Sequence, residues 1–182
     1  MLNRHFLRAK VLQSLYAYYI SQDSDKVQQE KFLFYSINKL YDIEIYLLSA
    51  LLEIRDIAEN QMEDAKNKFF PTEQEKKPNK KFVDNIFIKQ IENNKELQKN
   101  ITRLHVNWAD EKDLLKNIFN RFKQSNSYKD YMNSGETSYE EDNKVVCQLF
   151  KNYLIKNENL YELLSEKELS WEGDYEYLCQ VI

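Results

Sequence analysis

The sequence contains very few residues that favour turns. Two glycines, Gly135 and Gly173, and two prolines, Pro71 and Pro78, occur in 182 residues. An all-β fold needs frequent turns and a phosphate-binding loop needs glycine, so the composition disfavours both. Apolar residues recur instead at helical spacing through long stretches that lack a helix breaker, for example at Leu40, Ile43, Leu47, Leu51 and Ile54. The sequence therefore predicts an all-α protein, long enough to form one domain or two small ones.

Three parts of the chain differ in their pattern. Residues 1–70 predict a first helix that ends near residue 22 and a second helical region from about residue 24 to residue 70. Residues 71–81 contain both prolines and predict a linker. Residues 82–182 predict a second helical part.

This second part repeats itself. Residues 82–119 and 145–182 align without a gap when Trp108 is placed on Trp171. The alignment also matches identical residues in five further pairs: Val83 with Val146, Phe87 with Phe150, Asn94 with Asn157, Leu97 with Leu160 and Leu115 with Leu178. We interpret this as an internal duplication of a helical unit, in which each tryptophan anchors the core at a turn. The second unit stops in mid-pattern at Ile182, which predicts a chain truncated at its carboxyl end.

Charge is distributed unevenly along the chain. The net charge is −4, yet residues 1–22 carry Arg4, Arg8 and Lys10 and no acidic residue. Residues 158–182 carry seven acidic residues and one lysine. Cations at the start of a helix oppose the helix dipole. An anionic partner of the first helix would offset that cost.

The sequence lacks the residue patterns that several classes of function require. The two histidines, His5 and His105, and the two cysteines, Cys147 and Cys179, show no metal-ligand spacing, and the cysteines fit buried free thiols. No nucleophile elbow, phosphate-binding loop or zinc-protease motif occurs. We therefore expect neither an enzyme nor a cofactor. No secretory signal and no membrane-spanning apolar run is visible, which predicts a cytoplasmic protein without a membrane partner.

The first helix combines basic and aromatic residues. Arg4 and Arg8 point within about 40° of each other on an α-helix, His5 and Tyr16 share a flanking face, and Lys10 points elsewhere. We expect the core-facing stripe of this helix to consist of Leu7, Val11, Leu12, Leu15 and Tyr19. The basic residues then form either a solvated or partner-paired helix end, or a tip that contacts phosphates and unpaired bases.

The stretch RHFLRAKVLQSLY resembles the amino-terminal signature of the NusB family of transcription antitermination factors. Arg4, His5 and Arg8 fall at basic positions of that arginine-rich motif, while Gln13, Leu15 and Tyr16 match its tail. Two positions depart from the signature, because Phe6 stands where many members are basic and Ser14 replaces a small alanine. The phrases KFVDN and YMNS…SYEED resemble the long form of the Bacteroidetes group. The carboxyl half of the family is absent, so the chain resembles an amino-terminal fragment.

The resemblance implies an all-helical protein that regulates transcription termination. It implies binding of boxA-type RNA in ribosomal RNA leader transcripts together with NusE, a small ribosomal protein, so that RNA polymerase does not terminate early. It implies no catalysis and no cofactor. The RNA-binding residues expected here are Arg4, His5, Arg8, Lys10 and Tyr16. The alternative is a helical scaffold for protein–protein interaction, without specific RNA binding, whose duplicated units dock partners.

Overall fold

The computed structural model describes residues 4–21, 25–70, 72–135, 138–167, 169 and 174–179, and every regular element in these ranges is helical. The prediction of an all-α fold is confirmed. The helices, in chain order, are α1 (Arg4–Ile20), α2 (Lys26–Lys66), α3 (Glu73–Lys76), α4 (Ile86–Glu92), α5 (Lys95–Arg103), α6 (Lys112–Lys123), α7 (Asn126–Asn133), α8 (Tyr139–Leu149), α9 (Glu158–Glu166) and α10 (Tyr175–Leu178). Helix α8 continues directly into a π-helical segment, Phe150–Leu154.

Helix α2 is the central element. Asp25 caps it by accepting a hydrogen bond from the Val27 amide, and no glycine or proline interrupts its 41 residues. Its second half is buried in the core at the predicted helical spacing, at Leu40, Ile43, Leu47, Leu51 and Ile54. Its first half packs against α1 instead, so these two helices form a hairpin that extends from the core.

The predicted linker contains a short ordered helix. Thr72 caps α3 by accepting a hydrogen bond from the Glu75 amide, and the Glu75 carboxylate accepts one from the Thr72 amide. This reciprocal pair is a capping box, which satisfies two amides that the helix itself cannot.

A buried polar cluster joins the region after the linker to α7 and α8. The carboxylate of Asp142 accepts hydrogen bonds from the Ile86 amide at 2.7 Å and from the Tyr131 hydroxyl at 2.6 Å. The side-chain amide of Asn85 donates to the Asp142 carbonyl and also caps α4. Asn85 and Asp142 are both buried, and these bonds satisfy the groups that burial removes from water.

An ion pair stabilises the same junction. The Lys81 ammonium lies 3.1 Å from a Glu141 oxygen, donates to the Ser134 carbonyl, and lies over the Tyr131 ring. The phrases KFVDN, YMNS and SYEED thus meet in space. These residues hold α4, α7 and α8 together, which gives them a structural role.

Residues matched by the duplication occupy similar local positions. Asn94 caps α5 and Asn157 caps α9, each through its side-chain oxygen, and Leu97 and Leu160 are buried one turn later. Trp108 is buried, and its indole N–H donates to the Ser49 hydroxyl of α2. Trp171 lies outside the described residues. The duplication itself remains a prediction.

Candidate nucleic-acid interface

Helix α1 contacts the rest of the protein mainly through one end. Phe6 is its buried residue, and the Phe6 ring stacks on the Tyr177 ring with centroids 4.4 Å apart. Leu7, Lys10 and Ser14 are half-buried on the same side of the helix. This side, and not the predicted stripe, faces α2 and the segment 174–179.

The predicted core stripe of α1 is therefore wrong at four of its five positions, since Leu7 is the member that lies on the inward side. Leu12 is 68% exposed and Tyr19 is 81% exposed, and Val11 and Leu15 are exposed as well. The physical reason for this orientation is that α1 has two partners in the carboxyl-terminal segment: Tyr177 in α10 and Asp174 just before it. Tyr177 packs on Phe6 and Asp174 binds Lys10, which turns the stripe away from the core.

The exposed face of α1 carries the two arginines of the motif. Arg4 and Arg8 are exposed, and neither forms a hydrogen bond or an ion pair with any residue in the described part of the chain. His5 is exposed beside them, and Tyr16 is exposed two turns beyond Arg8. On an ideal helix these four residues lie within about 120° of one another. The structure thus brings Arg4, His5, Arg8 and Tyr16 onto one surface.

Lys10 lies apart from that surface. Its ammonium forms an ion pair with Asp174 at 2.8 Å and lies 5.3 Å from the Phe6 ring centroid. The side chains of Lys10 and Asp174 are only 15% and 13% exposed. A cation engaged in this way is less available to a phosphate than Arg4 or Arg8.

The same hairpin exposes a large apolar area. We define the hairpin surface as its exposed large apolar and aromatic side chains: Val11, Leu12, Leu15, Tyr16, Tyr18, Tyr19, Ile20, Val27, Phe32, Phe34 and Tyr35. Exposed apolar side chains that cluster on one surface often mark an interaction site, so the hairpin surface is a candidate site for a partner. The first residue of the hairpin surface, Val11, lies three residues after Arg8 in the same helix.

Sequence reasoning missed the contribution of the acidic carboxyl-terminal segment to this region. Asp174 and Tyr177 lie more than 160 residues from their partners in α1, and no local pattern encodes such a contact. The opposite charges of the two ends were the one available signal.

The described ranges contain no group of three or more His, Cys, Asp or Glu side chains that could hold a metal ion. None of the helices described combines the length and the apolar character needed to cross a membrane. Burial raises the pKa of the Cys147 thiol, which makes it a weaker nucleophile than an ordinary cysteine.

Comparisons of the chain with protein-family models, with curated proteins and with solved structures found no match.

Proposed function

We propose that this chain binds single-stranded RNA through the exposed face of α1 and acts in transcription antitermination. The observation that supports the proposal best is the pair Arg4 and Arg8, which are exposed one turn apart without an anionic partner in the described part of the chain. The resemblance of residues 4–16 to the NusB signature points to boxA-type RNA as the ligand. It also points to a NusE-like ribosomal protein and the RNA polymerase complex as partners.

The chemistry of the face suits an RNA strand. A guanidinium group donates two parallel hydrogen bonds to a phosphate and keeps its charge at any physiological pH. An exposed tyrosine offers a ring on which an unpaired base can stack. Arg4 and Tyr16 lie about 18 Å apart along the helix axis, so one strand can contact both ends of the face.

The proposal is tested by fluorescence anisotropy with a labelled boxA-type RNA and a scrambled RNA of the same composition. We expect the boxA-type RNA to bind more tightly and its affinity to fall as salt rises. Equal affinity for both RNAs would contradict specific recognition. No binding to either RNA would contradict RNA binding by this chain.

A double variant tests the site. Arg4→Ala with Arg8→Ala removes two phosphate contacts, so the slope of log affinity against log salt should become shallower by about 1.4, at about 0.7 for each contact. The matched control is Lys95→Ala with Lys99→Ala, which removes two exposed cations from α5. A control that lowers the slope equally would show that net charge, and not α1, governs binding.

A second candidate function is a protein-interaction scaffold. The exposed apolar residues of the hairpin surface make it a better candidate for the partner-binding site than the duplicated units. Leu12→Ser with Leu15→Ser should then abolish binding of a protein partner such as the NusE-like ribosomal protein. The same change should leave RNA affinity unchanged, since it removes no cation and no aromatic ring. Loss of RNA affinity in this variant would place RNA, and not a protein, on the apolar part of the face.

A further inference from the structure

A groove lined by residues outside α1 remains unused by the proposed function. It lies between the last turns of α2, the linker and helices α6 and α7, and has a volume of about 490 Å³. Its lining includes Ala58, Met62, Phe119, Lys123, Tyr128 and Met132. Pockets of this volume commonly hold a small ligand or a few side chains of a peptide.

Most of these lining residues are apolar and adaptable. Met62 and Met132 line the groove from α2 and from α7, and both are half-buried. Methionine side chains are flexible and polarisable, and they are common on surfaces that accept varied apolar partners. Phe69 and Phe70 follow α2, whose last turns line the groove, and are 92% and 85% exposed.

One cation in the groove has no carboxylate partner. The Lys123 ammonium donates to the Gln61 side-chain oxygen and lies 5.1 Å from the Phe119 ring centroid, and it forms no ion pair with any residue that the structure describes. Burial, and secondarily the positive charge of Lys116, lower the pKa of Lys123. A half-buried cation without an anion is energetically unfavourable, and an external anion would relieve that cost.

The carboxylate in the groove lining, Glu75, has other partners. Glu75 lines the groove, but it accepts hydrogen bonds from Lys68 and from the Thr72 amide, and these interactions lower its pKa to about 2. Glu75 is therefore already committed to the capping box of α3.

We infer that this groove binds a short acidic peptide segment of another protein, with an apolar side chain between Met62 and Met132 and a carboxylate on Lys123. The apolar lining favours a peptide over a nucleic acid backbone, which offers phosphate charge but few apolar groups. The inference does not depend on RNA binding by α1.

The chain offers a direct readout, because its three methionines are Met1, Met62 and Met132. Methyl-¹³C-methionine NMR spectra of the full chain would be recorded during titration with four end-blocked octapeptides. Each peptide contains Asp, Leu and Phe, and the spacing between Asp and Phe varies from one to four residues. A matched set carries Asn in place of Asp. We expect saturable shifts of the Met62 and Met132 signals, and about fivefold tighter binding of the best Asp peptide than of its Asn counterpart.

Three variants test the role of Lys123. Lys123→Gln should remove the preference for Asp over Asn, and Lys123→Arg should retain it. Lys116→Gln removes an exposed cation from the same helix and should also retain it.

Four results would overturn the inference. The first is the absence of shifts at Met62 and Met132 with every Asp peptide. The second is an Asp preference that survives Lys123→Gln, and the third is a preference that Lys116→Gln removes equally. The fourth is self-association of the chain through these methionines that Lys123→Gln reverses, which would assign the groove to a second copy.

Discussion

Asp174 holds Lys10 in an ion pair of 2.8 Å although the two residues are 164 positions apart in the chain. Tyr177 stacks on Phe6 three residues later, so the acidic carboxyl-terminal segment contacts the first helix at two points. These contacts set the rotation of α1. They direct Phe6 and Lys10 inward and leave Arg4 and Arg8 in solvent.

Replacing Asp174 should change RNA binding as well as packing. Asp174→Asn removes a negative charge close to the basic helix and releases Lys10, so RNA affinity should rise by up to about fivefold at low salt. Fluorescence anisotropy at two salt concentrations measures the change. The control is Asp113→Asn, which removes an exposed carboxylate from α6. An equal gain in the control would attribute the effect to net charge alone.

Tyr16 should act through its ring and not through its hydroxyl. Tyr16→Phe keeps a stacking surface and should bind RNA as the unchanged protein does. Tyr16→Ser removes the ring and should weaken binding by about 1–3 kcal/mol, the usual contribution of one stacked base. Isothermal titration calorimetry measures both variants. If Phe and Ser weaken binding equally, the hydroxyl makes the contact and stacking is excluded.

The buried bond between Trp108 and Ser49 should stabilise the fold. Ser49→Ala leaves the indole N–H, 3.0 Å from the missing hydroxyl, without a partner, and should lower the free energy of unfolding by about 1–3 kcal/mol. Combined with Trp108→Phe, which removes the donor, the loss should be about 1 kcal/mol less than the sum of the single losses. Urea denaturation measures all four proteins.

The control for this cycle is Ser36→Ala. Ser36 donates to a backbone carbonyl of α2 at 2.8 Å, as Ser49 does, but no tryptophan depends on it. A strictly additive double variant would show that Ser49 and Trp108 do not interact.

Stability should fall at high pH through Tyr128. Burial raises the pKa of Tyr128 from 10.0 to about 12, while in the unfolded chain the ordinary value applies. Below pH 10 the Tyr128 hydroxyl is protonated in both the folded and the unfolded state, so its contribution to the free energy of unfolding is fully present. Between pH 10 and 12 only the unfolded state ionises, and stability falls by at most about 1.4 kcal/mol per pH unit.

Tyr128→Phe should make that fall shallower and should keep the ring contacts with Phe82, Phe119 and Phe122. Urea denaturation at pH 9, 10 and 11 gives the slope. Tyr16→Phe, at an exposed tyrosine, is the matched control for the substitution itself. A Tyr128→Phe slope equal to that of the unchanged protein would show that Tyr128 ionises alike in both states.

The sequence was informative where one helix meets a core on one side. The spacing of Leu40, Leu47 and Ile54 predicted the buried face of α2, because a long amphipathic helix with one apolar stripe can bury only that face. Helix α1 carries apolar residues on most of its circumference. Its periodicity therefore allows several rotations, and distant partners decide among them.

The candidate sites followed the same division. The proximity of Arg4 and Arg8 is a local property of any helix, and it was predictable. The ion pair of Lys10 and the lack of an anion at Lys123 depend on contacts between separate elements. No local pattern in one sequence specifies such contacts.

Helix α2 measures about 60 Å from end to end, and the 14 residues before its first buried side chain, Leu40, span about 20 Å. The hairpin is thus attached to the core at the end where Phe6 is buried, and its other end is exposed to solvent. Its backbone amides should exchange with solvent deuterium far faster than those of residues 43–58, since Phe6 is the buried residue of α1 and α2 has no buried residue before Leu40. A partner that binds the far end of the hairpin, near Tyr19, would restrict its opening, and its affinity would include the free energy of that restriction. Arg4 and Arg8 lie at the other end, beside the buried Phe6.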